Sequence, residues 1–388
     1  MKKNKTAEVV VIGGGVIGAA VAYYLTKAGT KVILLEKDDL ASGTSSACNG
    51  FVWLGTKKAG IHLQLARASL EAMQGLVKEL SYPVEYQSPG EMLLIETEED
   101  LEAMNDFVAN QRRAGVDIRV LTRKEAKEMQ PALGEEAIVG ASYSSLGMFV
   151  NPIDLTIGLA KGAKEMGAEI LLRRKVDGIR IESGRVKAVR TEEGEIQAEW
   201  VVNAAGVYAP EIGKMLGLEI PIKPLRGQIL VTEPAPPMIR IPTIESRYLF
   251  VKRSPELMKK ATRAGVTCGV WQSLNGNIYL GSSKEFAGFN RGTTPEAIAT
   301  EAQKSIRFYP GLSRLHVIRI YAGLRPYTSD GIPILGPVEG IERFVMATGH
   351  GGDGIALSPI TGRLISEFIV NGKTSIPMHE LALSRFYS

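Results

Sequence analysis

Cysteine is scarce in this chain: Cys48 and Cys268 are the only two in 388 residues, and they lie far apart. That excludes a disulfide framework and makes a reducing, cytoplasmic setting the expectation. Histidine is also sparse, and His62, His316, His350 and His379 show no metal-ligand spacing. Neither sign of charge dominates, since 46 Lys and Arg against 42 Asp and Glu leave a net charge of +4. With the basic residues scattered, nucleic acid is not an expected partner. The apolar stretch Val9 to Leu25 behind Lys2, Lys3 and Lys5 imitates a signal peptide, but Glu8 precedes it and glycines interrupt it. No targeting or membrane-spanning segment is expected, and there is no internal repeat or low-complexity segment. What remains is an ordinary globular composition, 45% hydrophobic and 23% charged, long enough for two domains.

The first forty residues read β-α-β. Val9 to Ile12 is a short apolar run, Gly13 to Gly18 a glycine turn, and Ile17, Ala20, Val21, Tyr24, Leu25 and Ala28 recur at helical spacing until Gly29. Lys31 to Glu36 is a second apolar run, so a buried parallel pair is expected. Further on, Met92 to Ile95 reads as a strand, and Thr97 to Asp100 and Thr122 to Glu125 have helix-start spacing, with Gly115 closing the first of these helices. From Ile220 to Ile320 the chain is mostly strand-like, broken by turns such as Asn275-Gly276. Two α/β stretches, Asn151 to Met215 and Tyr321 to Lys373, suggest that a nucleotide-binding domain is assembled from separated pieces.

Gly13, Gly15 and Gly18 form G-x-G-x-x-G between strand and helix. The first glycine makes the tight turn, the second admits a pyrophosphate and the third packs helix on strand. The helix N-terminus adds unpaired N–H groups and a positive dipole end. Glu36 ends the second strand at the offset of roughly 20 residues from which an acid reaches ribose hydroxyls. Downstream, Trp200 to Asn203 runs into the small-residue turn Ala204-Ala205-Gly206, and Phe344 to Ala347 runs into the glycine turn at 349 to 354. A helix marked by Leu357, Thr361, Leu364, Ile365 and Phe368 follows, and its N-terminus suits the pyrimidine end of a flavin, where reduction deposits negative charge.

The segments Gly13 to Gly18, Ser42 to Gly50 (SGTSSACNG), Asn151 to Asp154 (NPID), Val201 to Gly206 (VVNAAG), Pro224 to Gln228 (PLRGQ), Gly323 to Gly336 (GLRPYTSDGIPILG) and the turn at 349 to 354 together resemble the D-amino acid oxidase superfamily. Within it, the branch holding glycine oxidase, sarcosine oxidase β subunit and dye-linked proline or hydroxyproline dehydrogenase is most similar. The resemblance covers nearly the whole chain. It implies an α+β fold: a Rossmann-like FAD-binding domain of glutathione-reductase type, from 1–80, 150–217 and 320–388, and an antiparallel-sheet substrate domain from 81–149 and 218–319. It also implies FAD-dependent oxidation of a small amino acid or secondary amine of glycine, sarcosine, proline or D-amino acid type.

Residue by residue, the resemblance gives Arg325 the substrate carboxylate, for which a planar, always-charged guanidinium is suited. Tyr248, expected on a strand from Arg247 to Lys252, is the tyrosine whose hydroxyl steadies substrate. FAD contacts are implied for Gly13, Gly15, Val16, Ile17, Gly18, Glu36 and Lys37. Ser42, Thr44, Ser45, Asn49 and Gly50 resemble a loop along the ribityl chain and phosphates, with Val176, Ala204, Ala205 and Gly206 alongside. Gly323, Arg325, Gly351, Gly352, Asp353, Gly354 and Ile355 complete the set. Cys48, with no His or basic neighbour, reads as a packed thiol.

Members with covalently held flavin carry cysteine where this chain has Gly323, so noncovalent FAD is expected. Glycine oxidases place a second arginine where this chain has Gly352, a departure from that branch. Asp353 is open to two roles, attraction of a substrate ammonium or binding of a flavin hydroxyl. The basic stretch Lys252 to Arg263 reads as a solvated loop, with a lid or docking patch as the alternative. Expected partners are a small carboxylate-bearing amine, with a homo-oligomer or additional electron-transfer subunits left open. Two rival functions stay open as well: a 2-hydroxy acid or glycerol-3-phosphate type flavin dehydrogenase, and a flavin subunit with little activity alone.

Overall fold

The computed structural model describes residues 5–249 and 265–387. The basic stretch 252–263 lies outside the described residues. The first strand, Lys5–Ile12, sends Val9 and Val11 into one hydrophobic cluster and Val10 and Ile12 into another. Alternate side chains thus face opposite sides, and a strand covered on both faces has to be apolar throughout. It sits in a parallel row ordered Ile341–Thr348, Gly194–Asn203, Lys5–Ile12, Val32–Leu35, Glu169–Leu171. The antiparallel hairpin of Val176–Glu182 and Arg185–Thr191 extends the sheet from Gly194–Asn203. Helices Val16–Lys27, Pro152–Glu165 and Gly354–Asn371 pack together over one face.

The second sheet runs in the order Val317–Tyr327, Lys223–Pro234, Asn277–Gly281, Gly269–Gln272, Thr243–Glu245, Glu91–Ile95, Gly140–Ser144, Arg119–Thr122. Its pairings are antiparallel except where Thr243–Glu245 lies parallel to Glu91–Ile95. The architecture is therefore the expected α+β: a Rossmann-like sheet with helices and a second, largely antiparallel sheet. Among the described residues, no helix is long and apolar enough to cross a membrane.

Local signals act as their chemistry dictates. Thr97 accepts from the Asp100 N–H, and Thr122 and Glu125 form a reciprocal capping box. In the NPID segment, Asn151 Oδ1 accepts from Ile153 and Asp154 N–H while Pro152 occupies the first helical turn. Two expectations are corrected. Residues 247–249, which carry Tyr248, are helical rather than strand; the strand ends at Glu245 and Leu249 N–H bonds back to Ser246. The stretch 220–320 also holds a helix, Pro295–Phe308, whose buried face is Ala297, Glu301, Ser305 and Phe308. Only two of those four are apolar, so the helical period is masked.

At the heart of the first βα turn, a Cβ on Gly18 would stand 1.9 Å from the Gly13 carbonyl oxygen. The clash is with backbone, so relief requires the turn to shift. Gly18→Ala is therefore expected to destabilise the protein by about 1–3 kcal/mol, the cost of overpacking, read as a lower urea midpoint. An unchanged midpoint contradicts the packing role.

Candidate active site

An elongated cavity of about 370 Å³ lies between the two sheets, within the size range of small-molecule sites. One end is the glycine turn, where Gly13, Gly15, Val16 and Ile17 line the wall, with Glu36, Lys37 and Val176 beside them. Ser42, Thr44, Ser45 and Asn49 form one side, and Ala204, Ala205 and Gly206 the floor of the first turn. The other end is lined by Tyr248, Gly323, Arg325 and the run Gly351 to Ile355. Gly18 and Gly50 do not line the cavity. Gly18 packs helix on strand as above. Gly50 has φ +67, and a Cβ there would meet Val150 O at 2.2 Å, so it serves the turn.

The nucleotide end is preassembled. Glu36 Oε2 accepts from Gly14 N–H at 2.6 Å and Oε1 from Asp38 N–H at 2.8 Å, which orients the carboxylate at the strand end. Val16 N–H donates to Ser45 Oγ at 3.0 Å, and Thr44 Oγ1 donates to Leu324 O at 2.6 Å. The Ser42 to Gly50 loop is thereby tied both to the first helix and to the strand of Arg325. Gly323 lies under that loop: a Cβ would stand 2.2 Å from Ala47 O, so any side chain would force the loop backbone to shift. With glycine here, this chain has no side chain to link a flavin at this position, and a larger residue would require the loop to shift. Both helices that end at the cavity, Val16–Lys27 and Gly354–Asn371, lack an acidic residue in the first turn. Their N–H groups and positive dipole ends therefore suit an anionic ligand. Two helix ends, a glycine turn and a hydroxyl-bearing loop around one elongated cavity fit FAD.

At the opposite end, Arg325 Nη1 donates to Ser283 O at 3.1 Å and Nη2 to Ser282 Oγ. Its strand pairs with Lys223–Pro234, and a Cβ on Gly227 would stand 2.2 Å from Arg325 Nη1. The glycine of PLRGQ thus makes space for the guanidinium. The flanking Arg226 and Gln228 both bind Glu285, fixing the segment that carries Ser282 and Ser283. Burial lowers the Arg325 pKa, while Tyr248, Cys48 and Asp353 act in the opposite sense; a guanidinium stays protonated regardless. Lys284 Nζ sits 3.8 Å from the Tyr248 ring centroid, a cation–π distance.

Asp353 is fully committed. Its Oδ1 pairs with Lys57 Nζ, and its Oδ2 lies 3.0 Å from His62 Nε2. His350 is buried and bonded to Thr361 Oγ1 at 2.9 Å, and burial pulls its pKa down to about 3, so it is neutral. Burial raises the Cys48 thiol to about 11, so it is a packed thiol and a poor nucleophile. Sequence reasoning missed Lys57, His62 and Lys284. No local pattern pairs Lys57 or His62 with a carboxylate almost three hundred residues on; Lys284, the lone basic residue between 265 and 290, sits in no motif.

The family described as FAD dependent oxidoreductase (DAO) matches residues 8–368. The chain is 28% identical to glycine oxidase of Geobacillus kaustophilus, over 97% of this chain and 97% of that protein. It is 27% identical to the hydrogen cyanide synthase subunit HcnC of Pseudomonas aeruginosa, over 99% and 97% of the two chains. Among solved structures it is similar to L-proline dehydrogenase from P. horikoshii, with a TM-score of 0.89 and 26% identity over 99% of this chain and 98% of that one.

The Glu36 carboxylate, held by two backbone donors, lines the cavity at its nucleotide end. Glu36→Ala is expected to weaken FAD binding by about 1.5–3 kcal/mol, the range for hydrogen bonds to a charged group. The check is flavin retention under serial dilution; full occupancy at concentrations where the wild type begins to dissociate would refute the assignment.

Proposed function

The chain belongs to the FAD dependent oxidoreductase (DAO) family, and we propose that within it the protein oxidises a small amino acid or secondary amine, of glycine, sarcosine, proline or D-amino acid type. FAD is its cofactor, held without a covalent bond. FAD-dependent oxidation of amines and amino acids is the activity at family level; the substrate's carboxylate is the finer reading. The observation that carries it is Arg325, a guanidinium clamped by Ser282 and Ser283 at the flavin end of the cavity.

Arg325 binds the substrate carboxylate through its planar fork, a geometry a lysine point charge does not offer. Tyr248, half-buried on the same wall, steadies the substrate against rotation with its hydroxyl. FAD, which the Gly13–Ile17 turn, the Ser42–Asn49 loop and the Gly351–Ile355 run would hold, would supply the hydride acceptor that converts the amine to an imine, which water would hydrolyse. The chain contributes orientation and a water-poor site, so a strong general base is not required if the amine enters deprotonated. Asp353 does not draw in a substrate ammonium, because one of its oxygens already pairs with Lys57 and the other lies against His62.

The domain division given by the sequence, with 1–80, 150–217 and 320–388 binding FAD and 81–149 and 218–319 binding substrate, is part of this proposal. So is a cytoplasmic setting, supported by two unpaired cysteines. Similarity to a hydrogen cyanide synthase subunit supports a reading in which additional subunits assemble with this chain.

Arg325→Leu tests the carboxylate assignment. A carboxylate entering a water-poor site without its partner costs several kcal/mol, so kcat/KM for amino acid substrates is expected to fall on the order of a thousandfold or more. FAD content and spectrum should stay near wild type, and amines lacking the carboxylate should lose far less. Expulsion of FAD, or equal slowing of all substrates, makes Arg325 structural.

A further inference from the structure

The helix Gly354–Asn371 begins at Asp353, yet the Asp353 side chain makes no capping hydrogen bond to that helix. Aspartate is among the preferred N-caps because its carboxylate accepts the orphan N–H groups of the first turn. Here both oxygens are drawn the other way. Lys57 Nζ takes Oδ1 and His62 Nε2 takes Oδ2 at 3.0 Å. Lys57 is 1% exposed and stands behind the cavity wall, whereas His62 and Asp353 line it.

The segment that carries Lys57 is itself anchored. Gln111 Nε2 donates to Gly55 O at 2.9 Å and to Lys57 O at 2.7 Å. Buried Glu91 accepts from the Leu54 and Gly55 N–H groups. A lysine is seldom buried without a task, given the desolvation cost of its charge. The task visible here is to hold one carboxylate in one place.

We propose that Lys57 and His62 are positioning residues that hold the Asp353 carboxylate off the N-terminus of helix Gly354–Asn371, leaving its first-turn N–H groups to stabilise the negative charge of reduced flavin. The inference rests on the reading that this helix end faces the flavin pyrimidine. A carboxylate folded back onto those N–H groups would occupy the donors and place a like charge beside the reduced ring. Lys57 prevents both, by geometry and by charge. It therefore acts on the reduced cofactor through Asp353 and helps the flavin accept electrons from substrate.

The test is the two-electron midpoint potential of the bound flavin in three variants of the FAD-loaded protein. Lys57→Met should weaken the preference for reduced over oxidised FAD at least tenfold, a fall of about 30 mV. Asp353→Asn should move the potential upward, since the buried lysine then loses its counter-charge. The double variant should return to within threefold of wild type. Opposite signs in the single variants are not what simple loosening of the site produces. If Lys57→Met does not retain FAD, the upward shift in Asp353→Asn still decides. An unshifted or raised potential in Lys57→Met overturns the proposal, as does a fall in both single variants. The infrared C2-carbonyl band of FAD labelled with carbon-13 at that atom separates this failure from that of the underlying reading. A band in the wild type no lower than in aprotic solvent removes the helix end from the flavin and both claims fall. A lowered band with an unshifted Lys57→Met potential overturns this inference alone.

Discussion

The negative charge of FAD has to be held in the cavity between the two sheets, and the rest of the structure is arranged around that constraint. The cofactor brings a pyrophosphate, reduction adds charge to the flavin, and the substrate proposed above brings a carboxylate. Left uncompensated in low dielectric, each would cost several kcal/mol. The donors that suit such charges are two helix N-termini free of first-turn acids, a loop of hydroxyls at Ser42, Thr44 and Ser45, and the guanidinium of Arg325, all at the cavity. Of the acids on the cavity wall, Glu36 is oriented by two backbone N–H groups, and Asp353 pairs with Lys57 and lies against His62.

Bringing donors that close requires backbone to approach backbone, which explains where side chains are missing. Gly18 lets the first helix sit on the Gly13 carbonyl, Gly323 lets the 42–50 loop lie on the second sheet, and Gly227 yields its space to Arg325. The last two stand opposite each other in the pairing of Lys223–Pro234 with Val317–Tyr327. One strand pair thus fixes both the contact between the loop and the sheet and the direction of the arginine. The small residues at these points are conditions of the electrostatics, because any Cβ there would push a donor out of reach.

The legible part of the fold was the part encoded in adjacent residues. The Val9 to Ile12 run, the glycine turn and the strand ending in Glu36 declare a βαβ unit by period and turn chemistry. The motif around Arg325 pointed to its place on the cavity wall. Helix-start signals at Thr97 and Thr122 acted as written. What stayed hidden depends on contacts between distant segments. The helix Pro295–Phe308 buries Glu301 and Ser305 on its inner face, so its hydrophobic period is broken. Tyr248 reaches the cavity from a helical turn because the preceding strand stops at Glu245. The Lys57 and Asp353 pair joins residues that only the folded chain brings together.

The most direct test of the account is anaerobic bleaching of the visible flavin absorbance by a matched panel: small amino acids and secondary amino acids, their decarboxylated amines, and the corresponding 2-hydroxy acids. An amine-oxidising site with a carboxylate clamp predicts rapid bleaching by at least one amino acid, with its decarboxylated amine bleaching far more slowly and its 2-hydroxy analogue leaving the flavin yellow. Bleaching by a 2-hydroxy acid while every amino acid leaves the flavin oxidised would contradict the account.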